Sequence, residues 1–506
     1  MSQTTQYNWR QSDQGFWHRD IDECEQFYRL YTKKEHGCYP VTGCASFKVK
    51  DAKIDQNDCV ESALRSAWTY LRFKHPTLGS HVETGDQPNK WKRVYRPLET
   101  EKDVKSWLDS TFMIIETDKT ALSWFNNDAP PFDMPTVYIV KPQLTAQRTL
   151  FLRCPHDVTD GVGVLQLLNQ LFVHVTKFYG QTSKFEYPLP EMDLGTRLSP
   201  SLRVAASIPD SLSEAQMKRF EELRATNGNV YNYPNLMGFP TSVPPNDISH
   251  ARMKRTALYL SQSTSTKILA ACKSIAPGVS LTHVFTSALT MALADFQPRK
   301  EEPFIARYVD RPMINIRSHC REPFDSPDHS AAAYHAVTAQ ALAIDVEVPS
   351  KPDMGAKPGR LSELAIKVRD LHQQLKPDPS SDVYEQALFA PSVFETLFPP
   401  PGFDPWVVQE SPFCPVSLSS VGNLATIMDG SSDVFELTKI WAASQPIGAG
   451  VAVFLASWDG KVELSSVFNT QYHGEGSVVP FLALIINYVC QGLGVEVDSC
   501  HQRDSI

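Results

Sequence analysis

His156 is followed by Asp160 and Gly161 in the pattern H-x-x-x-D-G, a spacing that suits proton transfer. Imidazole has a pKa near neutrality, so it can take a proton from an attacking hydroxyl and pass it to a leaving group. A carboxylate four residues later suits an organiser of the loop better than a relay. The glycine after it allows a close backbone approach or an unusual torsion. These residues fit acyl transfer from a thioester to an alcohol, with His156 as the general base.

The segments on either side place this motif in a loop between a strand and a helix. A β-rich run, 148–153, precedes His156, and apolar residues recur at three- and four-residue steps from 164 to 175. A side chain in such a loop can face a cavity. A lone histidine at the end of a strand is more often structural than catalytic, but this context favours catalysis.

The chain has 506 residues, too many for one ordinary hydrophobic core. Strand-like and helix-like segments alternate throughout, which predicts a mixed α/β fold. We expect two domains, 1–230 and 231–506, the first ending in a proline-rich crossover over 187–247.

The coarse pattern also predicts individual elements. Strands are expected at 40–50, 136–141, 148–153, 255–260, 305–317 and 337–348, and helices at 56–73, 213–225 and 361–375. Asp459-Gly460 predicts a two-residue hairpin turn. The apolar segment 478–495 is interrupted by Pro480 and predicts a buried C-terminal helix.

Composition argues against several classes of protein. A formal charge of −9 without a basic stripe argues against a nucleic-acid partner. We find neither a signal peptide nor an apolar window of ~18 residues, and the ten cysteines form no C-x-x-C pair. The sequence therefore predicts a cytoplasmic protein without a membrane partner or a metal. The motifs typical of serine hydrolases, nucleotide-binding loops and zinc proteases are absent from the sequence.

Several motifs, in this order, resemble those of the CoA-dependent acyltransferase superfamily. This group includes the BAHD-type acyltransferases, chloramphenicol acetyltransferase, the carnitine acyltransferases and condensation domains. The similar segments are Lys74-His75-Pro76-Thr77-Leu78, His156-x-x-x-Asp160-Gly161, Gly278 to Ala294 and Met313 to Arg317. The length and the Asn8-Trp9-Arg10 opening are similar to those of fungal trichothecene 15-O-acetyltransferases.

The resemblance implies two chloramphenicol-acetyltransferase-like domains, each a mixed sheet with flanking helices, and an active-site tunnel at their interface. His156 would lie midway along the tunnel, with the alcohol entering from one face and acetyl-CoA from the other. Asp160 would point away from the tunnel and pair with Arg317. The resemblance implies no metal, and we expect a monomer.

The sequence departs from the plant-type pattern in its second half, because it lacks the string Asp-Phe-Gly-Trp-Gly. The nearest substitute is the β-like run from Ser417 to Asn423. In related enzymes a hydroxyl or backbone N–H from this region can stabilise the oxyanion of the tetrahedral intermediate. Ser417 and Ser419 are the candidates, although their hydroxyls could equally bond neighbouring backbone.

The sequence does not identify the acceptor alcohol. The likeness suggests acetylation of a trichothecene-type sesquiterpenoid at its 15-hydroxyl, and another terpenoid or a polyketide alcohol is the alternative. A condensation catalyst is less favoured, since no carrier-protein motif is present and Pro155, not a second histidine, precedes His156. A binding protein with an inactive acyltransferase fold is the rival from a different class.

Overall fold

The computed structural model describes residues 6–32, 38–50, 57–84, 90–143, 147–179, 193–241, 252–353, 355, 357–376, 384–400, 413–496 and 500–501. Parts of the expected crossover, 187–192 and 242–247, lie outside the described residues. The strands are β1 Arg10–Gln11, β2 Trp17–Asp20, β3 Pro40–Val49, β4 Ser80–Thr84, β5 Trp91–Tyr95, β6 Phe112–Thr117, β7 Thr136–Pro142, β8 Arg148–Pro155, β9 Phe239–Pro240, β10 Met253–Leu260, β11 Phe304–Asp310, β12 Met313–Asn315, β13 His335–Val337, β14 Leu342–Val348, β15 Phe413–Cys414, β16 Val416–Asn423, β17 Phe435–Ser444, β18 Val451–Trp458, β19 Lys461–Asn469 and β20 Cys500–His501.

The α-helices of the described residues range from one turn to five. They are α1 Glu23–Leu30, α2 Asn57–Lys74, α3 Glu101–Thr111, α4 Ala121–Asn127, α5 Gly161–Phe178, α6 Leu194–Arg197, α7 Leu202–Ala205, α8 Glu214–Tyr231, α9 Gln262–Ile275, α10 Leu281–Asp295, α11 Leu361–Gln373, α12 Glu385–Thr396 and α13 Glu475–Leu493.

The first large sheet has the strand order β17-β3-β8-β7-β6, with β6 and β7 parallel and the other pairs antiparallel. Side chains of β8 alternate between its faces, as a strand requires. Leu150 and Leu152 join the core beneath α2 and α5, whereas Phe151 faces the second sheet. In this sheet, strand β8 ends at Pro155, immediately before His156.

The second large sheet has the order β16-β18-β19-β10-β20, with β16 and β18 parallel. Helices α9, α10, α11 and α13 cover it and contribute to one continuous apolar core. The fold is therefore mixed α/β, with two mixed sheets flanked by helices, as predicted.

Strand β17 links the two halves of the chain. It comes from the second half in sequence, yet it pairs with β3 of the first sheet from Phe435 to Ser444. Trp441 of β17 and Phe151 of β8 meet Phe454 of β18 in one buried cluster between the sheets. The boundary at residue 230 stays a prediction, and the pairing of β17 fixes the two sheets against each other.

The prediction of a single strand over 305–317 is wrong in its bounds. The segment is divided into β11 and β12, and Arg317 begins a short 3-10 turn, Arg317–His319. Pro312 lies at the break, and proline has no N–H to give to a ladder. The run 337–348 is divided in the same way, so that β11 pairs with β14 and β12 with β13.

The two C-terminal predictions are confirmed. Asp459 and Gly460 take φ of 49° and 70° between β18 and β19, the positive values that a type I′ turn needs. Helix α13 includes Pro480 and buries eight of its side chains. By length and apolar composition it is the one described helix that could cross a membrane, and 44% of its most apolar window is buried against the rest of the chain.

Candidate active site

His156 lies directly after β8, and the backbone fixes its position. Its N–H donates to the carbonyl of Tyr39 at 2.8 Å, and Val158 N donates back to Pro155 O at 2.9 Å. The side chain is 5% exposed. Burial, and then the nearby His335, lower the pKa of His156 from 6.5 to about 3. This differs from the pKa near neutrality expected from the sequence. The imidazole is neutral at physiological pH, and the same burial makes it a weaker base than a solvent-exposed histidine.

Asp160 anchors the other end of the loop. Its Oδ1 caps helix α5 by accepting from Gly163 N at 2.8 Å. Arg317 Nη1 donates to both carboxylate oxygens at 2.8 Å, and Tyr334 N donates to Oδ2 at 2.8 Å. Burial opposes ionisation, but Arg317 and His335 hold the pKa of Asp160 well below its usual range. The carboxylate thus binds the loop, the helix and the second half of the chain together.

A second set of charges holds the same loop from the opposite side. Arg93 Nη2 donates to both the carboxylate and the carbonyl of Asp157 at 2.7 Å. Arg93 Nε also donates to Glu25, which pairs with Arg19 at 2.6 Å. All four side chains are buried. The residue next to His156 is therefore tied to α1 and β5 by buried ion pairs.

A second histidine and a tyrosine lie against His156. The ring of Tyr28 stacks on the imidazole, with centroids 3.9 Å apart and planes 4° apart. The Tyr28 hydroxyl is 2.7 Å from Nε2 of His335. His335 Nδ1 lies 3.7 Å from Asp160 Oδ2, and its ring centroid is 5.4 Å from that of His156. Helix α1, strand β13 and the motif loop meet here.

A cavity of about 430 Å³ opens beside His156, between the two large sheets. Both halves of the chain line it. From the first half come Val41, His156, Asp160, Gly161, Val162 and Gln166, and from the second half Met313, Ile314, Asn315, His335, Ser419, Ser420, Val421, Thr426, Ile427, Ala442, Ala443, Ser444 and Phe454. Among the described residues of this wall, Asp160 is the one that carries a formal charge, and Arg317 pairs with it.

A second cavity, of about 490 Å³, lies on the other side of the motif loop. Pro155, Asp157 and Val158 line it together with residues of β4 and β5. Successive residues of one short segment therefore face two different spaces. The continuous tunnel implied by the resemblance stays a prediction.

The structure brings most of the predicted site residues together. His156, Asp160, Gly161 and Ser419 line the cavity, and Arg317 contacts Asp160 from behind it. Ser417 is not part of this wall, because it lies two residues earlier on β16 and is exposed. Ser420, which sequence reasoning passed over, lines the cavity and bonds Thr282 Oγ1 at 2.8 Å.

The explanation for the motif glycine needs correction. Gly161 does not adopt a positive φ, and a Cβ built there would meet no atom within 4 Å. The close approach occurs at Gly163, where a Cβ would lie 2.7 Å from Arg317 Nη2 and closer still to Thr159 Oγ1 and Ser330 O. Gly161 is the first residue of α5 and faces the open cavity, whereas Gly163 packs against the second half of the chain.

Sequence reasoning missed His335 and Tyr28. They are 307 positions apart in the chain, and neither lies in a recognisable motif. His335 is a polar aromatic residue within the apolar run 331–337, whereas Tyr28 lies among charged and polar residues of α1 and carries no local signal. Within the described ranges, no group of three or more histidine, cysteine or acidic side chains could hold a metal ion.

Comparison with known proteins gives relatives in sequence and in fold. No family model matches the chain. The chain is 27% identical over 339 residues to acetyltransferase pigO of Monascus ruber, covering 64% of this chain and 67% of that protein. It is also 27% identical over 344 residues to O-acetyltransferase pigM of Monascus ruber, covering 66% of this chain and 61% of that protein.

The structural comparison spans nearly the whole chain. The trichothecene 15-O-acetyltransferase TRI3 of Fusarium sporotrichioides superimposes with a TM-score of 0.77 at 16% identity, covering 96% of this chain and 98% of that one. At such identity the likeness establishes the fold, and function has to be argued from the site.

Proposed function

We propose that this chain, which has the fold of the CoA-dependent acyltransferases, is an O-acetyltransferase that moves an acetyl group from acetyl-CoA to a hydroxyl of a small neutral metabolite. The observation that carries the proposal is the position of His156, whose imidazole lies beside a cavity of about 430 Å³ on a loop held by the ion pairs Asp160–Arg317 and Asp157–Arg93. The names of pigO and pigM support the acetyl group.

In the proposed reaction His156 removes the hydroxyl proton of the acceptor. The acceptor oxygen forms a bond to the thioester carbonyl carbon, and the carbon–sulfur bond then breaks. The leaving CoA thiolate takes the proton from His156, so the enzyme returns to its starting state. A pKa of about 3 keeps the imidazole unprotonated before each turnover, and the imidazolium exists only until the thiolate leaves.

The chain's other groups assist without forming a covalent intermediate. The hydroxyl of Ser419 or Ser420 is the proposed donor to the oxyanion, because both residues line the same cavity as His156. Cys154, two residues before His156, is fully buried, and burial raises the pKa of its thiol. A protonated thiol outside the cavity makes a poor nucleophile, which supports direct transfer.

The character of the wall favours an uncharged and largely apolar acceptor. Valine, isoleucine, alanine and phenylalanine side chains alternate with neutral donors and acceptors, namely Gln166, Asn315, Thr426 and Ser444. In the part of the wall that the structure describes, no unpaired charge is available to a charged acceptor. A trichothecene-type sesquiterpenoid carrying a free 15-hydroxyl fits this description, and the likeness in fold to the trichothecene 15-O-acetyltransferase TRI3 supports it. Another terpenoid or a polyketide alcohol fits equally well by polarity.

The cavities on opposite sides of the motif loop support separate routes for the two substrates. The acceptor would reach His156 from one side and acetyl-CoA from the other. We expect the metal-free enzyme to act as a monomer.

The test is acceptor-dependent release of free thiol from acetyl-CoA, measured for sesquiterpenoid and polyketide alcohols. We expect His156→Ala to lower kcat by at least about 100-fold, the usual contribution of a general base. The matched control is His372→Ala, which removes a histidine at the end of α11, away from both cavities.

Each outcome has a distinct meaning. Equal loss in both variants would show that folding, and not the imidazole, limits the rate. Full activity of His156→Ala would remove this residue from the mechanism. Binding of acetyl-CoA without thiol release across the whole panel would favour a binding protein with this fold.

A further inference from the structure

The orientation of the His156 ring is not explained by the motif itself. In a serine-protease triad a carboxylate bonds the imidazole directly and fixes its orientation. Here Asp160 is occupied by Arg317, Gly163 N and Tyr334 N. Backbone groups of His156 and Thr159 lie beside the ring, but Nδ1 makes no well-formed hydrogen bond within the described residues. Groups outside the motif also contact the imidazole and can fix its plane.

Tyr28 is placed to do this. Its ring lies parallel to the imidazole at 3.9 Å and covers one face of it, while Tyr39 approaches at 6.0 Å with a tilt of 50°. Tyr28 is 4% exposed and projects from α1, whose capping box and buried acidic residues fix the helix. A flat contact with a rigid buried ring limits rotation of His156 about its side-chain bonds.

The Tyr28 ring is in turn held by His335. The Asp160 carboxylate lies 3.7 Å from Nδ1 of His335. Nε2 of the same ring is hydrogen-bonded to the Tyr28 hydroxyl at 2.7 Å. Burial raises the pKa of Tyr28 well above its usual value, so the phenol keeps its proton. The pairing of Asn315 with His335 between β12 and β13 fixes the backbone of this histidine.

We infer that Tyr28 and His335 are positioning residues for the general base: His335 holds the Tyr28 hydroxyl, and the Tyr28 ring keeps the His156 imidazole aimed into the cavity. The inference rests on the proposed function. His335 belongs to the second half of the chain and lines the same cavity as His156. Through this histidine, the second half of the chain would orient a base that belongs to the first half.

Paired substitutions separate positioning from mere packing. Tyr28→Phe keeps the stacked ring and loses the hydroxyl, whereas Tyr28→Leu loses both. Because Tyr28→Phe removes only the hydrogen bond, we expect its kcat to fall about tenfold. Because Tyr28→Leu also removes the ring contact, we expect its kcat to fall about 100-fold. The KM for each substrate should change less than about twofold, because neither variant alters ground-state contacts.

The second pair tests the hydrogen bond between His335 and the Tyr28 hydroxyl. The carbonyl of His335→Gln can still accept from the Tyr28 hydroxyl, and His335→Leu cannot. We expect the glutamine variant to keep a kcat at least about fivefold above that of the leucine variant, at similar unfolding temperatures. Tyr384→Phe is the control, because it removes a buried tyrosine hydrogen bond to Leu375 O outside the cavity wall.

A readout independent of acetyl transfer keeps this inference separable from the proposed function. The rate at which diethyl pyrocarbonate modifies His156 can be followed by mass spectrometry of its peptide. We expect Tyr28→Leu to raise this rate at least about fivefold over the wild type, because the ring that shields one face is gone. Faster modification in a protein that releases no thiol would support positioning while the proposed function failed. Unchanged modification, or wild-type kcat in Tyr28→Leu, would overturn the inference, as would equal kcat in the two His335 variants.

Discussion

Asp160 and Arg317 form an ion pair whose side chains are only 6% and 4% exposed. The carboxylate accepts four hydrogen bonds, two from Arg317 and two from backbone N–H groups. A buried charge without its partner costs several kcal/mol, so the two residues depend on each other strongly. The pair holds the loop that carries His156, and of its two side chains Asp160 lines the cavity whereas Arg317 lies behind it.

At the residue scale we therefore predict that Arg317→Met lowers the free energy of unfolding by about 3–5 kcal/mol, because Asp160 is left buried without its cation. The matched control is Arg307→Met. Arg307 also makes two hydrogen bonds to one carboxylate, through Nε and Nη2 to Asp345, but these side chains are 19% and 35% exposed. Its loss should cost no more than about 1 kcal/mol.

Urea unfolding followed by tryptophan fluorescence measures both values. Equal losses in the two variants would contradict the role assigned to burial of the Asp160–Arg317 pair.

At the scale of elements, the motif depends on how closely α5 approaches the second half of the chain. Thr159 Oγ1 donates to Ser330 O at 2.7 Å, beside the first turn of α5. Gly163 leaves room for this contact, and Arg317 passes over the same spot. The start of one helix is thus docked against a 3-10 turn from the other half.

We predict that Gly163→Ala destabilises the protein by about 3 kcal/mol or more, since its Cβ would overlap backbone that cannot move away. Gly161→Ala is the control on the same helical turn, because its Cβ would enter open space. It should leave the unfolding temperature within the error of measurement, and any effect on activity would come from the cavity. Thermal unfolding of both variants tests this, and tolerance of alanine at 163 would refute the close approach.

At the scale of the whole molecule, burial of ionisable groups controls the response to pH. Among the histidines that the structure describes, burial lowers the pKa of nine, with His75 and His156 reaching about 4 and about 3. Between those values and 6.5 the unfolded chain binds more protons than the folded chain. The free energy of unfolding therefore rises with pH in this range and falls on acidification.

Three carboxyl groups act in the opposite direction. The pKa values of Asp22 and Asp310 are raised to about 6 and about 7, and that of Glu395 is also raised, in each case chiefly by burial. Here the folded chain binds more protons, which favours folding at lower pH. Because histidines with lowered pKa values outnumber these groups, we predict a lower unfolding temperature at pH 5 than at pH 7. Scanning fluorimetry in buffers of equal ionic strength tests this, and a higher unfolding temperature at pH 5 would contradict it.

The sequence alone determined the features that depend on neighbours along the chain. Strand alternation and helical periodicity gave β8, α2, α5 and the hairpin at Asp459-Gly460, because each pattern is local. The position of His156 in a loop between β8 and α5 followed from the same reasoning.

Only the tertiary structure decided which distant residues meet. It assigned β17 to the first sheet, put Ser419 and Ser420 in the cavity wall and left Ser417 out, and brought His335 to Tyr28. It also showed that close packing requires glycine at position 163 and not at position 161. These outcomes depend on strand pairing and on the packing of two sheets, and the contacts they create join residues whose separation in the chain carries no periodic signal.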